Sequence, residues 1–146
     1  MVEQNIWAND LVLGWREGLD ASEPAMDAKI AHILKAEEIW MRRIHQRSWT
    51  REEALAPVPD HELRPLFERM ASAYRELMEQ DLSIEVPYLL MDGTPGRSSL
   101  EDIVIHVVTH GFHHRGQLAA MAVRMDSAFP NVAHVQYTRS LAATGS

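Results

Sequence analysis

Four segments of the chain repeat apolar residues every three or four positions, which is the spacing of an amphipathic α-helix. These segments cover residues 3–19, 24–47, 63–78 and 99–125. Short connections join them, and helices joined in this way bury their apolar sides against one another. The pattern therefore predicts an all-α fold, a four-helix bundle.

Length and composition fit a single domain. The chain has 146 residues, of which 46% are hydrophobic and 24% are charged. A chain of this size buries roughly 70% of the surface that its unfolded form exposes. We expect one domain over residues 1–146, with the bundle at about 3–125 and a polar tail at 126–146. Within that tail, Val132–Leu141 is a candidate for docking onto the bundle.

Local signals mark where the helices begin. Ser22 is the predicted N-cap of the second segment, and Pro24 is compatible with a first helical turn. Pro65 must lie near the start of the third helix, because deeper inside it would remove a backbone hydrogen bond. Ser98 and Glu101 fit a capping box ahead of the fourth helix.

The segment that precedes the fourth helix lacks helical spacing. Residues 83–97 read SIEVPYLLMDGTPGR and contain Asp-Gly and Pro-Gly turn signals. Residues 86–91 could form a short extended piece, but Pro87 argues against a central strand. We therefore expect an irregular loop before the last long helix.

Charge, hydropathy and cysteine content narrow the classes of function. The net charge is −7 and no basic cluster is denser than Arg42-Arg43, which argues against a nucleic-acid partner. No apolar run approaches the ~20 residues that cross a bilayer, and the amino terminus does not resemble a signal peptide. We expect a soluble, cytoplasmic protein with no membrane partner. Because the chain has no cysteine, any metal must be held by His, Asp, Glu or water.

Histidines are crowded into the fourth segment. Four of the eight in the chain fall within residues 106–114. With a rotation of about 100° per helical residue, His110 and His114 lie on the apolar side and face the interior of the predicted bundle. His106 and His113 flank them as neighbouring or surface groups. A pair four residues apart is able to hold one metal ion, and the alternative is two hydrogen-bonded histidines at the edge of the core.

A metal held by two histidines needs a third ligand from another helix. Helical geometry does not choose among the candidates, which are His32, His45, His61, His134 and Glu37. His32 lies on a narrow face with several alanines, which leaves room for a ligand or a neighbouring helix. Glu37 lies on the apolar face of the second segment, where it is either a paired core group or part of a site.

The motif HVVTHGFHHRGQL at 106–118 resembles the signature of the DinB/YfiT-like family, in which a late helix carries His-x-x-x-His-Arg-Gly-Gln. AHILKAEEIWMRRI at 31–44 is similar to the second-helix segment of that family, and IWANDLVL and YLLMDGTPGRSSLEDI are similar to two further segments. The resemblance covers about residues 4–125. It implies a four-helix bundle, often dimeric, with one divalent metal held by His32, His110 and His114.

Three neutral imidazoles leave coordination positions open, which is typical of a catalytic metal. Ligation by nitrogen alone suits zinc, nickel or iron(II), and manganese less well. Some members of the resembled family move low-molecular-weight thiols onto electrophiles. The expected function is therefore that of a metal-dependent thiol S-transferase or hydrolase acting on a small electrophilic substrate. The alternative is a non-catalytic metal-binding or stress-response bundle, which a fourth protein ligand such as Glu37 would favour.

Residues that follow the last ligand are candidates for supporting roles. Arg115 and Gln117 either orient the ligand or an anionic substrate, or form salt bridges and packing contacts between helices. Gly116 in mid-helix suggests the close approach of a neighbouring helix. A homodimer is expected, since four tryptophans offer more aromatic surface than one small bundle needs to bury. These are Trp7, Trp15, Trp40 and Trp49. No catalytic residue is predicted.

Overall fold

The computed structural model describes residues 1–21 and 23–145. Within these residues the chain forms six helices and two strands, so the prediction of a mainly helical protein is confirmed. The helices are α1 (Val2–Glu17), α2 (Pro24–Ile44), α3 (Arg51–Leu55), α4 (Asp60–Leu77), α5 (Leu100–Arg124) and α6 (His134–Thr144). The strands are β1 (Glu85–Leu89) and β2 (Pro95–Ser99). No helix among the described residues has the length and apolar character needed to cross a membrane.

Four long helices pack around one apolar core. Helix α2 contacts α4 and α5, and α1 contacts the same two helices from the other side. Burying each large apolar side chain contributes about 1.5–3 kcal/mol relative to leaving it exposed, so this core supplies the main driving force for folding. The most deeply buried apolar side chains are Met26, Leu34, Leu77, Leu100, Ile103 and Leu118.

The helix boundaries differ in detail from the sequence signals. Helix α2 begins at Pro24 with Glu23 as N-cap, and the predicted cap Ser22 lies outside the described residues. The N-cap of α5 is Ser99, whose hydroxyl accepts the backbone N–H of Asp102 at 3.1 Å. The predicted cap Ser98 is wrong by one residue: strand β2 continues through Ser99, its last residue, and α5 begins directly after it.

The segment expected to be an irregular loop forms an antiparallel β-hairpin instead. Pro87 fits because a two-stranded sheet has only edge strands, so one face of each strand needs no ladder hydrogen bonds. Tyr88 lies opposite Gly96, and a Cβ at Gly96 would collide with the Tyr88 ring. The hairpin packs on α2, and Gln46, two residues beyond the end of that helix, donates its Nε2 to the Pro87 carbonyl at 2.9 Å.

Part of the predicted polar tail is helical and covers α1. Helix α6 contacts α1, and the Tyr137 ring lies 5.5 Å from the Trp7 ring. The turn before α6 places Phe129 5.0 Å from Trp15. Because both tryptophans pack within the chain, they are not the free aromatic surface from which a dimer was predicted.

Candidate metal centre

Three histidines from two helices meet at one point between α2 and α5. His110 and His114 lie one turn apart on α5, and His32 faces them from α2, which packs against α5. The Nε2 atom of His32 is 3.1 Å from that of His110 and 3.1 Å from that of His114. The Nε2 atoms of His110 and His114 are also 3.1 Å apart. The three atoms form an equilateral triangle, named here the histidine triangle.

Hydrogen bonding alone does not satisfy the histidine triangle. In a neutral imidazole each ring nitrogen is either a donor or an acceptor, so three nitrogens that all face one another cannot all be paired. A cation resolves the conflict because it accepts a lone pair from each. Three atoms 3.1 Å apart share a point about 2.0–2.1 Å from each of them, which is the usual zinc–nitrogen distance. The donor set therefore fits a divalent metal.

The histidine triangle lies at the surface of the α2–α5 pair. His110 and His114 are half-buried and His32 is exposed. The prediction that the α5 pair faces the interior is therefore corrected. The buried face of α5 includes Gly111 and Arg115, and these turn the core direction of the helix away from His110. A site at this position is reachable from solvent.

The protonation state of the histidines suits metal binding. Burial lowers the pKa of His110 to about 4, with a smaller contribution from repulsion by His114, His32 and its other histidine neighbours. Burial also lowers the pKa of His32, followed by repulsion from His114 and Lys29. Below its pKa a histidine carries a proton on both nitrogens, and above it one lone pair is free. At neutral pH the imidazoles are therefore neutral and able to donate lone pairs.

Gln117 sets the tautomer of His114. The Nδ1 atom of His114 lies 2.8 Å from Gln117 Oε1, which can only accept, so the proton of the ring is on Nδ1. The lone pair of Nε2 then points into the histidine triangle. Lys29 Nζ lies 3.5 Å from the same Nδ1 atom, at the limit of a hydrogen bond, and the shorter contact decides the tautomer. Gln117 also places its amide 3.1 Å from His113 Nε2.

The other histidines lie outside the triangle. The His106 ring lies 6.2 Å from the His110 ring and 5.1 Å from the Trp40 ring. His113 is exposed, and its ring centre lies 4.9 Å from that of His114. The remaining candidates for a third ligand are elsewhere: His45 follows α2, His61 lies beside Glu62, and His134 contacts Gln4.

Comparison with known proteins bears on the same residues. The sequence model of the DinB family matches residues 14–140, which include all three members of the histidine triangle. The chain belongs to the DinB family. A relative of this DinB-family chain is Protein DinB of Bacillus subtilis (strain 168), 21% identical over 140 residues, covering 83% of this chain and 81% of the relative. No solved structure matches.

A second polar cluster of the DinB-family chain lies in its interior, and sequence reasoning missed half of it. Glu37 Oε1 accepts hydrogen bonds from the side-chain amides of Asn5 at 2.8 Å and Asn9 at 2.9 Å. Arg115 Nη1 donates to the oxygens of the same amides, at 2.9 Å and 2.6 Å. The two asparagines, which lie four residues apart inside an apolar helix, were the available signal. We name these four residues the interior cluster.

The interior cluster places Glu37 and Arg115 away from the histidine triangle. Both side chains are buried, and they face each other through the two bridging amides. Among the described residues neither forms a hydrogen bond to a member of the histidine triangle. Glu37 is thus a paired core group in this geometry. The supporting contact to His114 comes from Gln117 alone among the candidates that followed the ligand.

Glycine is required next to the interior cluster, at a position other than the predicted one. A Cβ at Gly111 would lie 2.8 Å from Arg115 Nη1 and 2.8 Å from Asn5 Oδ1. Gly116 is exposed, and apart from its chain neighbours and the adjoining backbone of α5 no atom of the described residues lies within 4 Å of where its Cβ would be. The prediction of a close approach at Gly116 is therefore wrong, and Gly111 makes the close approach.

Proposed function

We propose that His32, His110 and His114 bind one divalent metal ion, and that the protein is a metal-dependent enzyme. The proposed activity is that of a thiol S-transferase or hydrolase acting on a small electrophilic substrate. The observation that carries the proposal is the triangle of three Nε2 atoms, each 3.1 Å from the other two. Membership of the DinB family supports the same assignment.

Ligand chemistry narrows the choice of metal. Three imidazoles favour zinc, nickel or iron(II). Bound here, such an ion would supply an acidified water or a thiol held as its thiolate. The site is open to solvent on the side of His32, which is exposed, so a substrate can reach a bound ion from that side. It also contributes orientation, since the bond from His114 Nδ1–H to Gln117 keeps the imidazole lone pair aimed at one point.

The alternative is a non-catalytic metal-binding bundle, as in a stress-response protein. One observation favours this alternative: the candidate ligands lie on two different helices, so a bound ion would join α2 to α5. Chelation separates the two proposals. If the metal is catalytic, the chelated chain keeps its helical circular dichroism and a cooperative melt within a few degrees of the metal-bound form, because the apolar core holds the fold. Unfolding on chelation would support the alternative.

We also propose that α1, α2, α4 and α5 form the four-helix bundle expected of the family, and that two copies form a homodimer. The ring of contacts among the four helices supports the first part. For the second, apolar side chains such as Val123, 77% exposed, and Phe112 lie on the outer side of α5. Light scattering at micromolar concentration should give twice the chain mass, and a monomer there would contradict the dimer.

Activity is tested by loading the purified chain with zinc, nickel or iron(II) and offering a low-molecular-weight thiol with an electrophile. The assay follows loss of free thiol above the uncatalysed rate, and a parallel assay follows hydrolysis of activated esters. The metal-bound chain should accelerate one of the two reactions, and chelation should abolish the acceleration. His61→Ala, at an exposed position away from the triangle, is the matched control for His110→Ala. Equal rates for these two variants would contradict the proposal.

A further inference from the structure

A cleft lies between the end of α2, the loop that follows it and the β-hairpin. Its volume is about 650 Å³, within the range of small-molecule sites. Three arginines line it, Arg43, Arg47 and Arg51, and no acidic residue does. This concentration of positive charge stands out in a chain whose net charge is −7.

Arg43 is the most unusual of the three arginines. It is only 7% exposed, and its guanidinium carbon lies 4.4 Å from the Trp40 ring and 4.7 Å from the Trp49 ring. Its Nε atom has no hydrogen-bond partner among the described residues, and no carboxylate pairs with it there. A buried charge without a counter-charge is unfavourable, although the two rings offset part of the cost. An anion bound beside Arg43 would supply the missing counter-charge.

Its neighbours in the cleft are also unpaired cations. Within the described residues Arg47 and Arg51 form no ion pair, whereas the adjacent Arg42 lies within reach of Glu38 and Glu53. Arginine binds carboxylate and phosphate groups with two parallel hydrogen bonds, more strongly than it binds a neutral acceptor. The three guanidinium groups thus form an anion-binding wall.

The opposite wall is apolar. It is formed by the turn of the hairpin, where Leu89, Leu90 and Met91 are 54%, 41% and 39% exposed. We infer that the cleft binds a small organic anion, with its carboxylate or phosphate on the arginines and its apolar body on the hairpin. An inorganic ion would leave the apolar wall uncovered, and a neutral ligand would leave the arginines unpaired.

Both walls are held in place without a ligand. Gln46 has a positive φ of 53°, and its side-chain amide donates to the Arg43 carbonyl at 2.8 Å and to the Pro87 carbonyl at 2.9 Å. One amide therefore ties α2 to the hairpin. Close packing of Tyr88 over Gly96 fixes the strand opposite. A preformed cleft binds its ligand with a small ordering cost.

Ring contacts connect the cleft to the histidine triangle. Trp40 lies 5.0 Å from Tyr88, which lines the cleft, and 5.1 Å from His106, which stacks against His110. The cleft and the triangle therefore lie on the same side of the α2–α5 pair. The inference itself concerns binding by arginines and does not depend on whether a metal is bound.

The test uses the full chain as purified and two fluorescent probes. 8-Anilinonaphthalene-1-sulfonate carries an anionic group on an apolar body, and N-phenyl-1-naphthylamine has a similar body without charge. The anionic probe should bind one site, and Arg47→Gln with Arg51→Gln should weaken that binding about tenfold while binding of the neutral probe stays unchanged. Arg124→Gln with Arg139→Gln, two exposed arginines on α5 and α6, is the matched control with the same loss of charge.

Competition identifies the head group. Octanoate and phenyl phosphate each combine an apolar body with one anionic group, and displacement of the anionic probe by either supports the inference. The stronger competitor shows whether carboxylate or phosphate is preferred. Displacement by neither would overturn the inference, as would equal weakening in the two double variants. Circular dichroism confirms that both variants are folded before binding is compared.

Discussion

Helix α5 carries two polar clusters built from adjacent residues, one buried and linked by hydrogen bonds among side chains, the other at the surface with its ring nitrogens facing one another. His110 and His114 belong to the histidine triangle, while Gly111 and Arg115, one position further along, belong to the interior cluster and its packing. In the interior cluster Arg115 Nη1 has two amide acceptors and Glu37 Oε1 has two donors, while Nε and Nη2 of Arg115 have no hydrogen-bond partner among the described residues. In the triangle three ring nitrogens face one another and cannot all be paired by hydrogen bonds.

The two clusters differ because Gly111 and Arg115 lie on the buried face of α5, whereas His110 and His114 lie at its half-buried edge. Inside the core a charged group needs a partner from the chain itself, because water cannot supply one. Burial raises the pKa of Glu37, and the bonds from Asn5 and Asn9 oppose that effect. Burial lowers the pKa of Arg115 to about 10, and Glu37 opposes it. At the surface, by contrast, ring nitrogens that have no partner within the chain can bind a ligand from solvent.

Breaking the interior cluster should have the largest effect on folding. Glu37→Ala leaves the buried Arg115 without its counter-charge, and we expect a loss of about 3–5 kcal/mol in the free energy of unfolding. Glu38→Ala, which removes a carboxylate from a partly exposed pair with Lys35, is the control and should lose about 0–1 kcal/mol. Urea denaturation of the metal-free chain measures both. Equal losses would show that the interior cluster is not a special source of stability.

Breaking the histidine triangle should affect metal binding and leave folding almost unchanged. His110→Ala removes one of three ligands, so we expect metal affinity to fall by more than about 100-fold, beyond the usual effect of losing an outer hydrogen-bond partner. Competition with a fluorescent chelator measures the affinity. His106→Ala removes a neighbouring ring outside the triangle and should bind metal as the unaltered chain does. A large loss in His106→Ala and none in His110→Ala would contradict the geometry.

Two glycines of α5 sharpen the comparison. Gly111→Ala places a methyl group 2.8 Å from Arg115 Nη1 and Asn5 Oδ1, so it should destabilise the chain by about 1–3 kcal/mol. Gly116→Ala adds the same methyl group on the exposed side and should stabilise the helix by up to about 1 kcal/mol. Thermal melts of the metal-free variants should shift in opposite directions. A destabilised Gly116→Ala would restore the predicted close approach at that position.

The smallest effect is expected at the outer edge of the triangle. Gln117→Ala removes the acceptor that keeps the His114 proton on Nδ1, and metal affinity should fall by about tenfold. Gln117→Glu retains an acceptor and should restore most of the affinity. If both variants bind metal as tightly as the unaltered chain, the tautomer of His114 is set by something else.

The three histidines of the triangle could be predicted from the sequence to different degrees. The spacing of His110 and His114 is visible in one helix, so their shared face follows from the helical repeat. His32 lies 78 residues from His110, and spacing within a helix carries no distance between helices. Its place in the candidate site came from the family motif. Only the packing of α2 on α5 brings the three nitrogens together.

The sequence did not predict which polar residues are buried, nor that the two strands of the hairpin pair. Hydropathy counts Arg115 and Gly111 against a buried face, so the core direction of α5 was set too close to His110. The hairpin was missed because Pro87 and the two turn signals outweigh a strand of five residues. In each case the deciding contact comes from another element: Asn5 and Asn9 for Arg115, and Gln46 for the hairpin.

Anomalous diffraction from crystals of the zinc-loaded protein, collected on both sides of the zinc absorption edge, tests the central claim most directly. We predict one strong anomalous peak per chain, about 2.0–2.1 Å from the Nε2 atoms of His32, His110 and His114. Glu37 should remain bonded to the two asparagines and away from the metal. A peak bound by other residues, or no peak at the histidine triangle in crystals that contain zinc, would contradict the account.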